Sequence, residues 1–251
     1  MKPSKLISLI LFICSVTAGG SVFSQEKMYK VGITPTAMPF TFLDPKTNTI
    51  QGIMVDIIRE ISVDSGFKIE PEAMPFSSLI PSLTSSKIDI ISAAMFINPK
   101  RQEVIDFSRP ILTYGEALIV AKGDSREYSK LEELKGKSIG VQKGTLFVEP
   151  IQQLGIFSDV KIYDNIPSII ADVQAGRIQV GVADAPIAAY YLQQGSYSNA
   201  RLVKGYVPVM TGSIGVGVRK GENALLSKIN ASIDKLKKNG AIDKIISKWA
   251  P

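Results

Sequence analysis

Two residues of opposite charge stand where a chain can present them to a small molecule. In Asn98-Pro99-Lys100-Arg101, Asn98 is a good N-cap and Pro99 a good first helical residue, which puts Arg101 in the first turn of a helix. A guanidinium fork beside free helix N–H groups suits a carboxylate. Pairing on the surface with Glu103 or Asp106 is the alternative use. Asp184 follows the apolar run Ile178 to Val182, read as a strand. Open α/β sheets place ligands just beyond that end of their strands, although Asp184 is equally suited to capping the helix after Pro186. Gly144-Thr145 follows a further apolar run, Ser138 to Val141. Glycine lets backbone approach a ligand there, and the Thr145 hydroxyl and Leu146 N–H could hold a carboxylate oxygen; a plain strand-to-loop turn is the other reading.

Inventory narrows the chemistry. The chain has one cysteine, Cys14, and no histidine, so zinc clusters, disulfide frameworks and His-based triads are excluded. No cofactor is expected. The formal charge of +6 falls to +4 without Lys2 and Lys5, and the basic residues lie mostly singly among acids. Lys235, Lys237 and Lys238 cluster with Asp234 on an amphipathic pattern that reads as an exposed helix face. Nucleic acid is not an expected partner.

Lys2 and Lys5 precede an apolar run, Leu6 to Ala18, of the length of a signal-peptide core. Residues 1–24 are therefore expected to be a leader, with cleavage after Ser24. A membrane-spanning helix needs about 20 apolar residues, and this run thins at Gly19, Gly20 and Ser21. Cys14 follows Leu11, Phe12 and Ile13 rather than small residues, which argues against a lipid anchor.

The rest of the chain, a little under 230 residues, alternates short apolar runs with helical periodicities, the pattern of an α/β protein with largely parallel sheets. Tyr29 to Ile33, Phe67 to Glu70 and Ile88 to Ala93 read as strands, separated by a helix through Ile53 to Ile61 that stops at Gly66 and a short one over Ser78 to Thr84. A second set follows: strands at Ser138 to Val141, Val160 to Tyr163 and Ile178 to Val182, with helices near Ile151 to Leu154, Ile166 to Ala175 and Ala185 to Gln194. Two similar lobes result. Glu116 to Gly123 and Ser213 to Gly221, each ending in Lys-Gly, read as paired crossings between them. A cleft spanned by two strands can close on a ligand. The expected division is 25–115 for lobe one, 116–211 for lobe two, and 212–251 for the return, whose helices Asn223 to Lys238 and Ala241 to Trp249 pack on lobe one.

Several segments together resemble the amino-acid-binding branch of the periplasmic solute-binding proteins of ABC importers, the type II cluster that includes histidine-, glutamine- and lysine/arginine/ornithine-binding proteins. They are Pro75-Phe76-Ser77-Ser78-Leu79-Ile80-Pro81-Ser82-Leu83, Lys87-Ile88-Asp89-Ile90-Ile91, Asn98-Pro99-Lys100-Arg101, Val104-Ile105-Asp106-Phe107-Ser108, Gly52 with Val55-Asp56-Ile57, Gly144-Thr145, Lys237-Lys238-Asn239-Gly240 and Lys248-Trp249. The resemblance covers nearly the whole chain after the leader.

It implies a two-lobed type II periplasmic binding protein fold, each lobe a mostly parallel sheet flanked by helices. It also implies a monomeric, non-catalytic receptor that delivers an amino-acid-like solute to a membrane permease. It assigns Arg101 to the ligand carboxylate and Asp184 to its ammonium, and places Phe40, Phe76, Ala94, Phe96, Thr145 and Leu146 at the ligand. The three phenylalanines would form an aromatic box for a bulky amine, an amino acid or an opine.

There are departures. Leu146 and Phe96 replace small hydroxyl residues, while Ala37 and Thr34 stand where binders of basic amino acids have an aromatic and an acid, so basic specificity is not implied. Cyclohexadienyl dehydratases resemble the same family, and the alternative is an enzyme using a cleft acid such as Glu149. Amino-terminal analysis of the exported protein should find Gln25 first; Met1 or a lipidated Cys14 would contradict the leader.

Overall fold

The computed structural model describes residues 27–249. The expected leader, Cys14 and the start at Gln25 lie outside the described residues. The chain runs β1 (Met28–Ile33), β2 (Thr36–Ala37), β3 (Thr41–Asp44), β4 (Thr49–Gln51), α1 (Ile53–Ser65), β5 (Lys68–Ala73), α2 (Leu79–Thr84), β6 (Ile90–Phe96), α3 (Pro99–Gln102), β7 (Ile105–Phe107) and β8 (Leu112–Tyr114). It continues through β9 (Glu116–Ala121), β10 (Ser138–Gln142), α4 (Val148–Leu154), β11 (Asp159–Tyr163), α5 (Ile166–Gln174), β12 (Val180–Asp184), α6 (Ala185–Gln193), β13 (Ala200–Leu202), β14 (Gly212–Arg219), α7 (Asn223–Lys238) and α8 (Ala241–Trp249).

Each lobe is built on its own sheet. The first has the order β5-β1-β6-β14-β7, with β8 also on β14; the second has the order β11-β10-β12-β9-β13. In both, two neighbouring pairs are parallel, and a single reversed strand, β14 in the first and β9 in the second, makes the remaining pairs antiparallel. The central parallel strands bury both faces, as near-continuous apolar runs must: all of β6 is buried, as is all of β12, whereas the edge strands β5 and β11 are largely exposed. α1 presents Met54, Ile57, Ile58 and Ile61 to the first sheet at helical spacing and ends at Gly66, whose φ of 68° is the left-handed cap that glycine adopts freely. α5 does the same in the second lobe with Ile166, Ile169, Ile170 and Val173. Both terminal helices sit on lobe one, where α8 donates from Trp249 Nε1 to Asp56 of α1 at 2.8 Å.

The strands that carry the site extend two to three residues beyond their apolar runs. β6 continues to Phe96 because β14 pairs with it there, Ile214 against Phe96 and Gly215 against Met95. β12 continues to Asp184 because that residue pairs with Glu116 of β9. Cross-strand partners far along the chain set these ends. β6 also bends. The register against β14 shifts between Gly215 and Gly217, and Ala94 takes a φ of 52°, a conformation rare for a residue with a Cβ. The small sheet β2-β3-β4, beside the cleft, has no counterpart among the expected strands. β9 and β14, read as paired crossings, belong to different sheets. The chain passes between lobes at Gly115 and returns through the segment that follows Val203.

One carboxylate fastens both passages. Glu116, fully buried at the start of β9, accepts from the Tyr206 hydroxyl at 2.5 Å and from the N–H groups of Val209 and Met210 at 2.9 Å each. Removing it leaves three enclosed donors without an acceptor, at about 1–3 kcal/mol each before relaxation. Glu116→Ala should therefore lower stability by about 3 kcal/mol or more in urea denaturation, and a loss below about 1 kcal/mol would mean that the return segment re-pairs with solvent.

Candidate functional site

The N-cap reading of Asn98 holds in detail. Its Oδ1 accepts from Arg101 N–H at 2.8 Å, with Pro99 in the first turn. This short turn carries Arg101 off the end of β6 and into the cleft, where the residue is 8% exposed. Neither Glu103 nor Asp106 takes its charge; Asp106 instead meets Lys220 and the Gly221 N–H. Arg101 donates from one terminal nitrogen to the Phe96 carbonyl at 2.6 Å and from the other to the Gly144 carbonyl at 2.9 Å. The second bond crosses from lobe one to lobe two. Burial pulls the guanidinium down to about 10, against the nearby Asp184 charge, so it remains a cation at neutral pH.

Asp184 is the opposite pole. It closes β12 and stands at the N-cap position of α6, yet its side chain makes no capping bond. The carboxylate is thus left for the cleft. Burial raises it to about 6, opposed by hydrogen bonds from the Tyr114 hydroxyl and its own N–H and by the Arg101 charge.

Around these poles the lobes enclose a cavity of about 20 Å³. Lobe one lines it with Thr34, Ala37, Phe76, Ala94, Phe96 and Arg101; lobe two adds Gln142, Thr145, Leu146, Asp184 and Ile187. Such a volume accommodates a water molecule and not an amino acid, so the lobes must part before a solute of that size enters. Lobe contact is close throughout. A Cβ on Gly144, which has a φ of 80°, would lie 2.9 Å from Ser77 Cα. Tyr191 donates to the Thr36 carbonyl at 3.0 Å, the Phe96 and Phe147 rings meet at 6.0 Å, and Lys100 pairs with Glu149 at 2.9 Å. Outside Arg101 a wider cleft of about 640 Å³ opens past Asn98, Leu146, Glu149 and Gln153.

The expected contacts divide. Phe76, Ala94, Phe96, Arg101, Thr145, Leu146 and Asp184 share the cavity. Phe40 does not. It is 1% exposed and stacks on Tyr114, with centroids 5.4 Å apart, which makes it a support behind the wall. Of the three phenylalanines, Phe76 and Phe96 line the cavity, and Arg101 lies 5.7 Å over the Phe76 ring. The Thr145 hydroxyl donates to the Gln142 carbonyl at 2.8 Å and so fastens its own turn. Glu149, the acid considered for catalysis, is absent from this cavity's lining; it pairs with Lys100 in the wider cleft outside Arg101.

Three residues come from the structure alone, and a fourth, Thr34, gains a place at the cavity. Gln142 and Ile187 line the cavity, Tyr114 stands behind it, and the Thr34 hydroxyl is buried with no partner among the described residues. A buried polar atom left unpaired calls for an explanation, and a ligand supplies one. Thr34 directly follows β1, and the resemblance had marked it as a position that departs from binders of basic amino acids.

Known proteins agree with this architecture. The model of the bacterial extracellular solute-binding proteins, family 3, matches residues 29–251. The lysine/arginine/ornithine-binding periplasmic protein of Escherichia coli is 30% identical over 257 residues, covering 99% of this chain and 97% of that protein. An ancestral arginine-binding protein bound to arginine superposes with a TM-score of 0.82 at 33% identity, over 90% of this chain and 99% of that one. The ancestral amino acid-binding protein AncCDT-1, a precursor of cyclohexadienyl dehydratase, superposes with a TM-score of 0.80 at 28% identity, over 89% and 96% of the two chains.

Closure makes its own demand on Gly144. Gly144→Ala, with its Cβ against Ser77 backbone and a strained φ, should weaken solute binding at least tenfold in calorimetry while leaving the isolated lobes folded by circular dichroism; unchanged affinity would show that the lobes close less far in the bound state. With two matched sheets, a cleft closed between them and a family match over nearly its whole length, this chain belongs to the bacterial extracellular solute-binding proteins, family 3.

Proposed function

We propose that the protein is the periplasmic receptor of an ABC importer, exported with residues 1–24 removed, and that it captures an amino acid by closing its lobes and hands it to a membrane permease. The lobes are read as 25–115 and 116–211, with 212–251 returning to the first. One observation carries the ligand reading: Arg101 and Asp184 enter one buried cavity from opposite lobes and, among the described residues, are its only charged lining. A cation on one side and an anion on the other complement the carboxylate and ammonium of an α-amino acid. A ligand that satisfies both poles at once also joins both lobes.

Beyond the head group the lining is uncharged: Thr34, Ala37, Gln142 and Ile187. The side chain of an arginine or lysine would be buried there without a counter-charge, at a cost of several kcal/mol. A neutral side chain fits, with the Thr34 hydroxyl and the Gln142 amide as polar partners. Of the two ligand classes read from the sequence, a plain amino acid is better supported than an opine, because Arg101 is the sole cation for a second carboxylate.

The enzyme reading is weaker. Asp184 is a single acid, and the adjacent Glu116 is held by three donors on the hinge side. Homologues such as the Escherichia coli relative are named as binding proteins.

Protein stripped by unfolding and refolding should be stabilised by neutral L-amino acids, by about 2.7 kcal/mol at 100 times the dissociation constant, and at least tenfold less sensitively by arginine and lysine. Arg101→Ala and Asp184→Ala should each weaken binding by about 2–5 kcal/mol, since each leaves the other charge unpaired. Tight binding of betaines with no response to any amino acid would falsify the amine pole.

A further inference from the structure

We propose that Thr34 and Gln142 are the specificity-determining residues of the cavity, and that they select an amino acid with a side-chain carboxamide, glutamine or asparagine, over apolar, hydroxyl-bearing and acidic ones. The inference rests on the amino-acid reading of the same cavity, in which Arg101 and Asp184 hold the head group and these two residues lie beyond it.

Hydrogen-bond accounting carries it. Gln142 is buried on the lobe-two wall, and its amide nitrogen donates to the Asp164 carbonyl at 3.1 Å. A carbonyl can only accept, so this bond fixes which end of the amide is nitrogen. The amide oxygen is left with no partner among the described residues, and Gln142 brings a spare acceptor to the cavity.

Thr34 comes from lobe one. It is 2% exposed, and its hydroxyl, which can donate as well as accept, is bonded to nothing among the described residues. The backbone around it is held from both lobes. A residue before proline is kept from the helical range, the Pro35 carbonyl accepts from the Leu43 N–H at 3.0 Å, and the Thr36 carbonyl accepts from the Tyr191 hydroxyl of lobe two at 3.0 Å.

An acceptor on one lobe and a hydroxyl on the other are answered by a group that gives a donor to Gln142 and an acceptor to Thr34. A carboxamide carries both in one plane. A carboxylate of the same shape has acceptors only, so it turns like partial charge toward the Gln142 oxygen, and it finds no cation because Arg101 is committed to the head group. A thioether or alkyl side chain fills space but leaves both polar groups unpaired. Ala37 and Ile187 give the cavity apolar wall for the methylenes of the side chain.

Calorimetry on stripped protein with L-glutamine, L-asparagine, L-methionine, L-leucine, L-threonine, L-glutamate and L-arginine tests the ranking. One of the two amides should bind most tightly, methionine and leucine about tenfold or more weakly, and glutamate about a hundredfold or more weakly, as for a site that demands a donor the analogue lacks. Thr34→Val keeps the shape and removes the hydroxyl. It should weaken the preferred amide about tenfold, leave methionine unweakened, and not lower the urea midpoint of the ligand-free protein, because the hydroxyl has no partner to lose.

Methionine, leucine, threonine or arginine binding as tightly as the better amide, or glutamate within tenfold of glutamine, would overturn the proposal. So would a Thr34→Val that weakens the amide and methionine equally, since that is the mark of packing alone. The wild-type ranking decides by itself if the variant fails to fold. Binding of the wrong members of the panel sinks this inference only, whereas binding of none sinks the amino-acid reading and this inference with it.

Discussion

A guanidinium taken out of water must be given acceptors, and Arg101 finds one on each side of the cleft. The requirement is costly to neglect, since an unpaired buried charge destabilises by several kcal/mol. Much of the local structure serves it. The Asn98 cap starts the turn that lifts Arg101 off β6, the strand end at Phe96 provides one carbonyl, and the Gly144 turn brings the other from lobe two. Gly144 can approach because it has no Cβ to meet Ser77. The same bond that satisfies Arg101 thereby fixes how far the lobes close.

The acidic pole obeys the same constraint with different means. Asp184 ends a strand whose partner residue is Glu116, so two carboxylates are neighbours across one ladder. They are kept apart in role by their donors. Glu116 receives three and anchors the passage between lobes, whereas Asp184 receives a phenol and its own N–H and remains open to the cavity. Pocket and hinge thus share one short stretch of backbone, Tyr114 to Glu116, which is a physical reason for binding and closure to be coupled.

Local signals were legible in the sequence, and those that depend on distant partners were not. Asn98 and Pro99 announce the Arg101 turn because capping acts over three residues; Gly66 ends α1 for a similarly local reason. The central parallel strands β6 and β12 show as apolar runs because both their faces are covered. Their true ends do not, because β14 and β9 set them from more than 60 residues away. Phe40 illustrates the same limit. A phenylalanine after a proline in a loop reads alike as a ligand wall or as core, and only the Tyr114 ring beneath it decides. Tyr114 itself lies in a three-residue strand with no periodicity to mark it. The bend at Ala94, which aims a carbonyl at that phenol, leaves no trace in an alanine.

What a ligand must do follows from these bonds. A solute favours closure only by as much as it binds the closed form better than the open one. The exposed Lys100–Glu149 pair at the mouth is screened by water and cannot select a solute. Arg101 can, because its fork already holds two neutral carbonyls. On the proposed reading, a carboxylate would answer the fork with an opposite charge and two parallel bonds, which the neutral Gly144 carbonyl cannot match. A hydroxyl or an amide makes bonds no better than the ones it would break. On that reading, selection of the acid group would rest on competition with the backbone of the opposite lobe, and the residues beyond it would be left to discriminate among side chains.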